Sequence, residues 1–139
     1  MKKTSVRTLT LVLVVCLLLS TAAFASVESS AYISATGAQI TFSGDNVNIY
    51  FSIVGRHNMN EIGVSEIRLF EKTGNIWSRV YTFDSDDPTY TSSMLSYNTS
   101  AKGDYVTYSG SANKDYLAIL YFYAADDDGS DTIPYYAYS

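Results

Sequence analysis

Cysteine is almost missing from this chain: the one copy, Cys16, lies within an apolar stretch near the amino terminus. No intrachain disulfide can staple the fold, even in an oxidising compartment that would permit one. Histidine is equally scarce. His57 is the single copy, so a serine triad cannot be assembled unless that residue is its base, and no G-x-S-x-G elbow accompanies it. The reading is of a protein that is not an enzyme. Basic residues are outnumbered, nine against fourteen acidic ones. Nucleic acid and anionic membrane surfaces both reward clustered Lys and Arg, so neither is an expected partner. There is no internal repeat, low-complexity tract or helix-period segment.

What is present begins with an address. Lys2, Lys3 and Arg7 precede the apolar residues 11–19, and Ala23-Phe24-Ala25 follows. A basic segment, a short apolar core and an A-x-A site make a secretory signal peptide, cut after Ala25. The apolar core is too short for a membrane span, which needs about 20 residues. No stable membrane insertion is expected after cleavage. Val15 stands where lipoprotein processing requires a small residue, so Cys16 is not expected to be lipidated. The expected organisation is a leader (1–25), a short tether (26–31) and one secreted, extracellular domain (32–139). Removing the leader takes away three basic residues and no acidic ones, leaving 6 − 14 = −8.

The mature chain reads as short strands separated by turns. Residues 116–124, Tyr-Leu-Ala-Ile-Leu-Tyr-Phe-Tyr-Ala, carry no charge, Gly or Pro, as a strand buried on at least one face does. An acidic turn follows, and residues 133–138 form the last strand. Val47, Ile49, Phe51 and Ile53 alternate with Asn48, Tyr50 and Ser52, the period-2 pattern of a half-buried strand. Residues 55–61 read as a polar loop, 65–72 and 76–83 as a hairpin around Thr73-Gly74-Asn75, and 104–108 as a further strand. Residues 89–100 are small, polar and only weakly periodic, with a short edge strand or a single turn of helix as the two readings. Seven to eight short strands with regular turns predict an all-β fold, a single antiparallel β-sandwich.

Tyr116-Leu117-Ala118 resembles the tyrosine corner of immunoglobulin and fibronectin type III sandwiches, with Ala118 where antibody domains carry a cysteine. A tryptophan-bearing hairpin, with Trp77 on its second strand, lies mid-chain. The resemblance implies an immunoglobulin-like sandwich without the disulfide. Glu61-Ile62-Gly63, Leu69-Phe70-Glu71-Lys72, Trp77 and Tyr108-Ser109-Gly110 are also similar to a group of short secreted proteins of Gram-positive bacteria. That likeness implies a fold and a bacterial, extracellular setting, and no catalytic residues.

Two surfaces are candidates for function. If Tyr116, Ala118, Leu120 and Phe122 face the core, Leu117, Ile119, Tyr121 and Tyr123 face outward, and Tyr135 or Tyr136, together with Tyr138, on the last strand extends that face. Tyrosine suits a wet binding surface because its ring packs while its hydroxyl stays hydrogen-bonded. Sugar rings stack on such aromatics, so a glycan or cell-surface component is the expected class of ligand. Alternatively, the segment 89–100 or a second copy covers this face. The other surface is acidic. With strands labelled A, B, C, C′, E, F and G, alternate loops share an end and gather Glu61, Asp84, Asp86, Asp87, Asp126, Asp127, Asp128 and Asp131. Asp84, Asp86, Asp87, Asp126, Asp128 and Asp131 are the candidate ligands for weak Ca2+ binding of the kind extracellular modules show. No other cofactor is expected. The functional reading is a non-catalytic binding or structural module; the alternative is a secreted bacteriocin-like effector acting on neighbouring cells.

Overall fold

The computed structural model describes residues 25–26 and 30–139. The expected leader thus falls outside the described residues, except for Ala25. Strands β1 (Ala25–Ser26), β2 (Ile33–Ser43), β3 (Asn46–Thr73) and β4 (Ile76–Asp84) come first. A single helical turn, α1 (Thr91–Met94), leads into β5 (Leu95–Ser109), β6 (Tyr116–Ala125) and β7 (Ser130–Tyr138). The protein is all-β, and every strand pairing is antiparallel. Residues 89–100, open in the sequence between a single helical turn and a short edge strand, hold α1 and the start of β5. Ser30, read as tether, is buried, and its hydroxyl accepts hydrogen bonds from the backbone N–H of Tyr32 and Ile33.

The fold is organised by β3. Its first half, from Asn46, lies between β2 and β5; its second half, to Thr73, lies between β4 and β6, with β7 beyond β6. A straight strand advances about 3.3 Å per residue, which would put Val47 and Glu71 roughly 80 Å apart. They are instead neighbours of the same two groups: Glu71 pairs with Tyr116, while Val47 and the Tyr116 hydroxyl both crowd Gly110. So β3 doubles over, and the sheet curls into a half-barrel with its concave side apolar. Val47, Ile49, Phe51 and Ile53 from the first half meet Ile67, Leu69, Phe83, Leu120 and Phe122 from the second in one core.

The bend corrects the expectation of a loop at 55–61. Between Val54 and Met59 the strand advances five positions while β5 advances two, from Ala101 to Thr99. Such a bulge turns a strand without ending it. Met59 points inward and is fully buried, whereas Arg56, His57 and Asn58 sit on the exposed outside of the bend. Their polarity imitates a loop. At Gly63 the strand passes directly under α1: a Cβ there would lie 1.9 Å from the Met94 carbonyl oxygen. Only glycine permits this approach.

Trp77, read as the tryptophan of a sandwich hairpin, is on β4 and half-buried, outside the core. The largest fully buried side chain is Tyr116. Its hydroxyl accepts a hydrogen bond from the Ser111 N–H at 2.9 Å and donates to Glu71 Oε2 at 3.2 Å. At the β4–β5 side, Tyr81, Phe83, Tyr90 and Tyr108 fill the opening between the two halves with ring contacts of 4.7–5.8 Å.

Candidate functional site

Burial along β6 alternates without interruption. Tyr116, Ala118, Leu120, Phe122 and Ala124 are buried; Leu117, Ile119, Tyr121 and Tyr123 on the other face are only half-buried. Directly paired residues share a face, so the register extends that outer face to both sides. On β7 it adds Tyr138 beside Leu117, Tyr136 beside Ile119 and Pro134 beside Tyr121. On β3 it adds Phe70 beside Leu117 and Arg68 beside Ile119, and on β4 Trp77 beside Lys72 and Arg79 beside Phe70.

Of the five tyrosines expected here, Tyr121, Tyr123, Tyr136 and Tyr138 belong to this face. Tyr135 does not. It pairs with Leu120, and its ring stands against core residue Phe122 with centroids 5.9 Å apart at 89°. The correction follows from the period of two: Tyr135 and Tyr136 must point to opposite sides. Trp77, Phe70, Lys72 and Arg79 were missed as members of the face. Their signal was the turn at Thr73-Gly74-Asn75, which fixes the pairing of Lys72 with Trp77.

The rings are held in place by their neighbours. Trp77 and Tyr138 meet edge-on with centroids 6.3 Å apart, and the Lys72 ammonium lies 5.7 Å from the Trp77 ring centre. The Arg68 guanidinium lies 4.9 Å from the Tyr121 centroid, donates to the Tyr121 hydroxyl at 3.1 Å and is paired with Glu66. Tyr136 and Tyr138 remain 56% and 63% exposed. The segment 89–100 does not cover them: α1 packs on β5 and β3, and Leu95, Ser96 and Tyr97 pair with β3 along the edge opposite β6.

The acidic residues form two neighbourhoods. The β6–β7 turn lies against the bend of β3, where His57 Nε2 is 2.5 Å from Asp126 Oδ2 and Asn60 Nδ2 donates to Asp127 Oδ1 at 2.6 Å. Asp126 Oδ1 also accepts from the N–H groups of Asp128 and Gly129. The hydrogen bond from His57 first, and those backbone N–H groups next, hold the Asp126 carboxyl below the ordinary carboxylate range. His57, expected within a polar loop, is therefore an exposed strand residue with a carboxylate partner.

The second neighbourhood is an open cleft of about 340 Å3 lined by Glu61, Ser65, Glu66, Asp84, Ser85, Asp86 and Tyr123. Asp84 Oδ1 accepts from the Asp86 N–H, and Asp87 Oδ1 from the Thr89 N–H. Asp131 lies within β7 and accepts from the Thr132 N–H, while Asp128 is exposed. Glu61, which lines this cleft, pairs with Ala125 beside Asp126. Among the described residues, no three His, Cys, Asp or Glu side chains are grouped as a metal-ligand set.

No protein-family model matches the chain, and neither the comparison with curated proteins nor that with solved structures finds a match.

Proposed function

We propose that this protein is a secreted, non-catalytic binding module that holds a glycan of the cell exterior on the outer face of β4, β3, β6 and β7. One observation carries the reading: Tyr136 and Tyr138, 56% and 63% exposed, stand beside half-buried Trp77, Leu117, Ile119 and Tyr121 on one continuous surface. Aromatic and aliphatic groups gathered on an exposed sheet face mark an interaction surface. Planar rings fixed by their neighbours offer flat apolar ground for the C–H face of a sugar, with hydroxyls at the rim for its polar edge.

The proposed architecture is an immunoglobulin-like sandwich. Two observations support it. The pairings of the two ends of β3 differ, β2–β3–β5 at one and β4–β3–β6–β7 at the other, with residues 61–63 paired to both β5 and β6, an order like A–B–E and C′–C–F–G if the two halves of β3 serve as B and C. The Tyr116 hydroxyl reaches back to the backbone of Ser111, as a tyrosine corner does at the start of the sixth strand.

Binding to a panel of immobilised polysaccharides and to purified cell walls tests the function. Retention that is lost in Tyr136→Ala and Tyr138→Ala, with melting temperature unchanged, is the expected result. Growth inhibition of neighbouring bacteria by the purified protein, with no such retention, replaces the module by the effector. Weak Ca2+ binding at the acidic turns stays as a second reading, although among the described residues no three of their carboxylates are grouped as a ligand set. A rise in melting temperature with millimolar calcium, beyond that from sodium at equal ionic strength, supports it; no difference removes it.

A further inference from the structure

Six basic residues remain once the expected leader is set aside: Arg56, Arg68, Lys72, Arg79, Lys102 and Lys114. Three of them, Arg68, Lys72 and Arg79, lie on the aromatic face. They are not equivalent. Arg68 is neutralised by Glu66 and committed to Tyr121. Among the described residues, neither Lys72 nor Arg79 has a carboxylate partner. Both flank Trp77, Lys72 directly across from it and Arg79 two positions along β4. Of the acidic residues on this face, Glu66 and Asp84 pair with each other near Tyr121, at the end away from Trp77, while Asp115, whose backbone carbonyl accepts from the Lys72 N–H, forms no ion pair with Lys72. A chain of strong negative charge thus keeps two uncompensated cations beside its most planar group.

We infer that the ligand of this face is an acidic polysaccharide built of uronic-acid rings, stacked on Trp77 and Tyr138 with its carboxylates met by Lys72 and Arg79. The inference rests on the module reading above and names the class of glycan. Charge complementarity selects an anion for this end of the face, and a guanidinium meets a carboxylate with two parallel hydrogen bonds. Ring geometry selects the uronate among anionic polymers. A uronic acid carries its carboxylate at the edge of the sugar ring, so stacking on Trp77 sends the charge outward to the rim where Lys72 and Arg79 stand. A phosphodiester-linked polyol has charge but no ring face to stack.

The experiment uses the whole mature chain in affinity electrophoresis and calorimetry against polygalacturonate, alginate and hyaluronan. Fully methyl-esterified polygalacturonate (same rings, no charge), a neutral glucan and a glycerol-phosphate polymer are the comparators. Binding to at least one of the three acidic polymers is expected, weakened by rising salt. The Lys72→Ala/Arg79→Ala double variant is expected to bind at least ten-fold more weakly with an unchanged circular dichroism spectrum. For polygalacturonate, esterification is expected to cost a similar factor. Equal binding of the acidic and esterified forms, or binding of neutral glucan alone, overturns the uronate inference and leaves the glycan module standing. Binding of the glycerol-phosphate polymer alone overturns both the ring and the carboxylate. Failure to bind any saccharide overturns the module reading as well.

Discussion

Trp77 and Tyr138 belong to strands separated by two others, yet their rings meet with centroids 6.3 Å apart at an angle of 67°. Three strand spacings of about 4.8 Å put their backbones roughly 14 Å apart, so the two side chains close over the row that holds Phe70 and Leu117. This contact joins the first hairpin of the half-sheet to its last strand. It turns scattered surface aromatics into one surface.

The outward and inward tyrosines of β7 separate stability from binding. Tyr136→Ala removes an exposed ring and should change unfolding free energy by no more than about 0.5 kcal/mol. Tyr135→Ala removes a ring packed on Phe122 and should cost about 2–3 kcal/mol, somewhat less than a fully buried aromatic. Urea titration of the two variants, monitored by Trp77 fluorescence, checks the contrast. A larger loss for Tyr136→Ala than for Tyr135→Ala would mean that the register of β7 is shifted by one.

The alternation of β6 and the turns at Gly44 and Gly74 were legible in the sequence because each is set locally. Burial sorts side chains with a period of two, and both glycines take the positive φ that tight turns require. The bend of β3 was not legible. Arg56, His57 and Asn58 are polar because they ride the outside of a bulge, and no local signal distinguishes that from a loop. Residues 89–100 left a helical turn and an edge strand as alternatives for another reason. Met94 is placed by the space above Gly63, a contact 31 positions away in the chain, and tertiary packing of this kind overrides weak local preference. The candidate face was half visible: its β6 and β7 residues came from periodicity, whereas Phe70, Lys72, Trp77 and Arg79 needed the hairpin register.

Tyr116→Phe keeps the buried ring and deletes its hydroxyl, leaving the Ser111 N–H without its acceptor. The expected cost is about 1–3 kcal/mol, that of an unsatisfied buried polar group. Gly110→Ala attacks the same corner from the other side, since its Cβ would lie 2.5 Å from the Tyr116 hydroxyl oxygen. Both variants should unfold at lower urea with an unchanged m-value. If Tyr116→Phe proves neutral, the corner does not hold β6 to the preceding turn.

At Gly63, alanine would press its methyl into the Met94 carbonyl, and the backbone must move. The expected loss is about 3 kcal/mol or more. Gly74→Ala, in an open turn with φ +64° and nothing within 4 Å, should cost only about 1–2 kcal/mol, the left-handed penalty. Thermal unfolding of the pair ranks them. The reverse order would show that β3 does not cross beneath α1.

The acid side of the stability profile should depend on His57. The folded-state pKa of Asp126 is depressed, first by the hydrogen bond from His57. Its contribution is fully present above the unfolded aspartate value, about 3.9, and is lost as pH falls through the depressed value. His57→Ala should move the Asp126 pKa upward in a carboxyl-detected NMR titration and shrink that contribution. Asp126 titrating at the same pH in both proteins would mean that the pair does not persist in solution.

Chemical footprinting of the tyrosines in the dilute protein tests the central arrangement most directly. Nitration read by peptide mass spectrometry should modify Tyr136 and Tyr138 rapidly and leave Tyr116, fully buried, unmodified until the protein unfolds. Fast nitration of Tyr116, or protection of Tyr136 and Tyr138 in the dilute protein, would contradict a curled sheet whose aromatic outer face stands open.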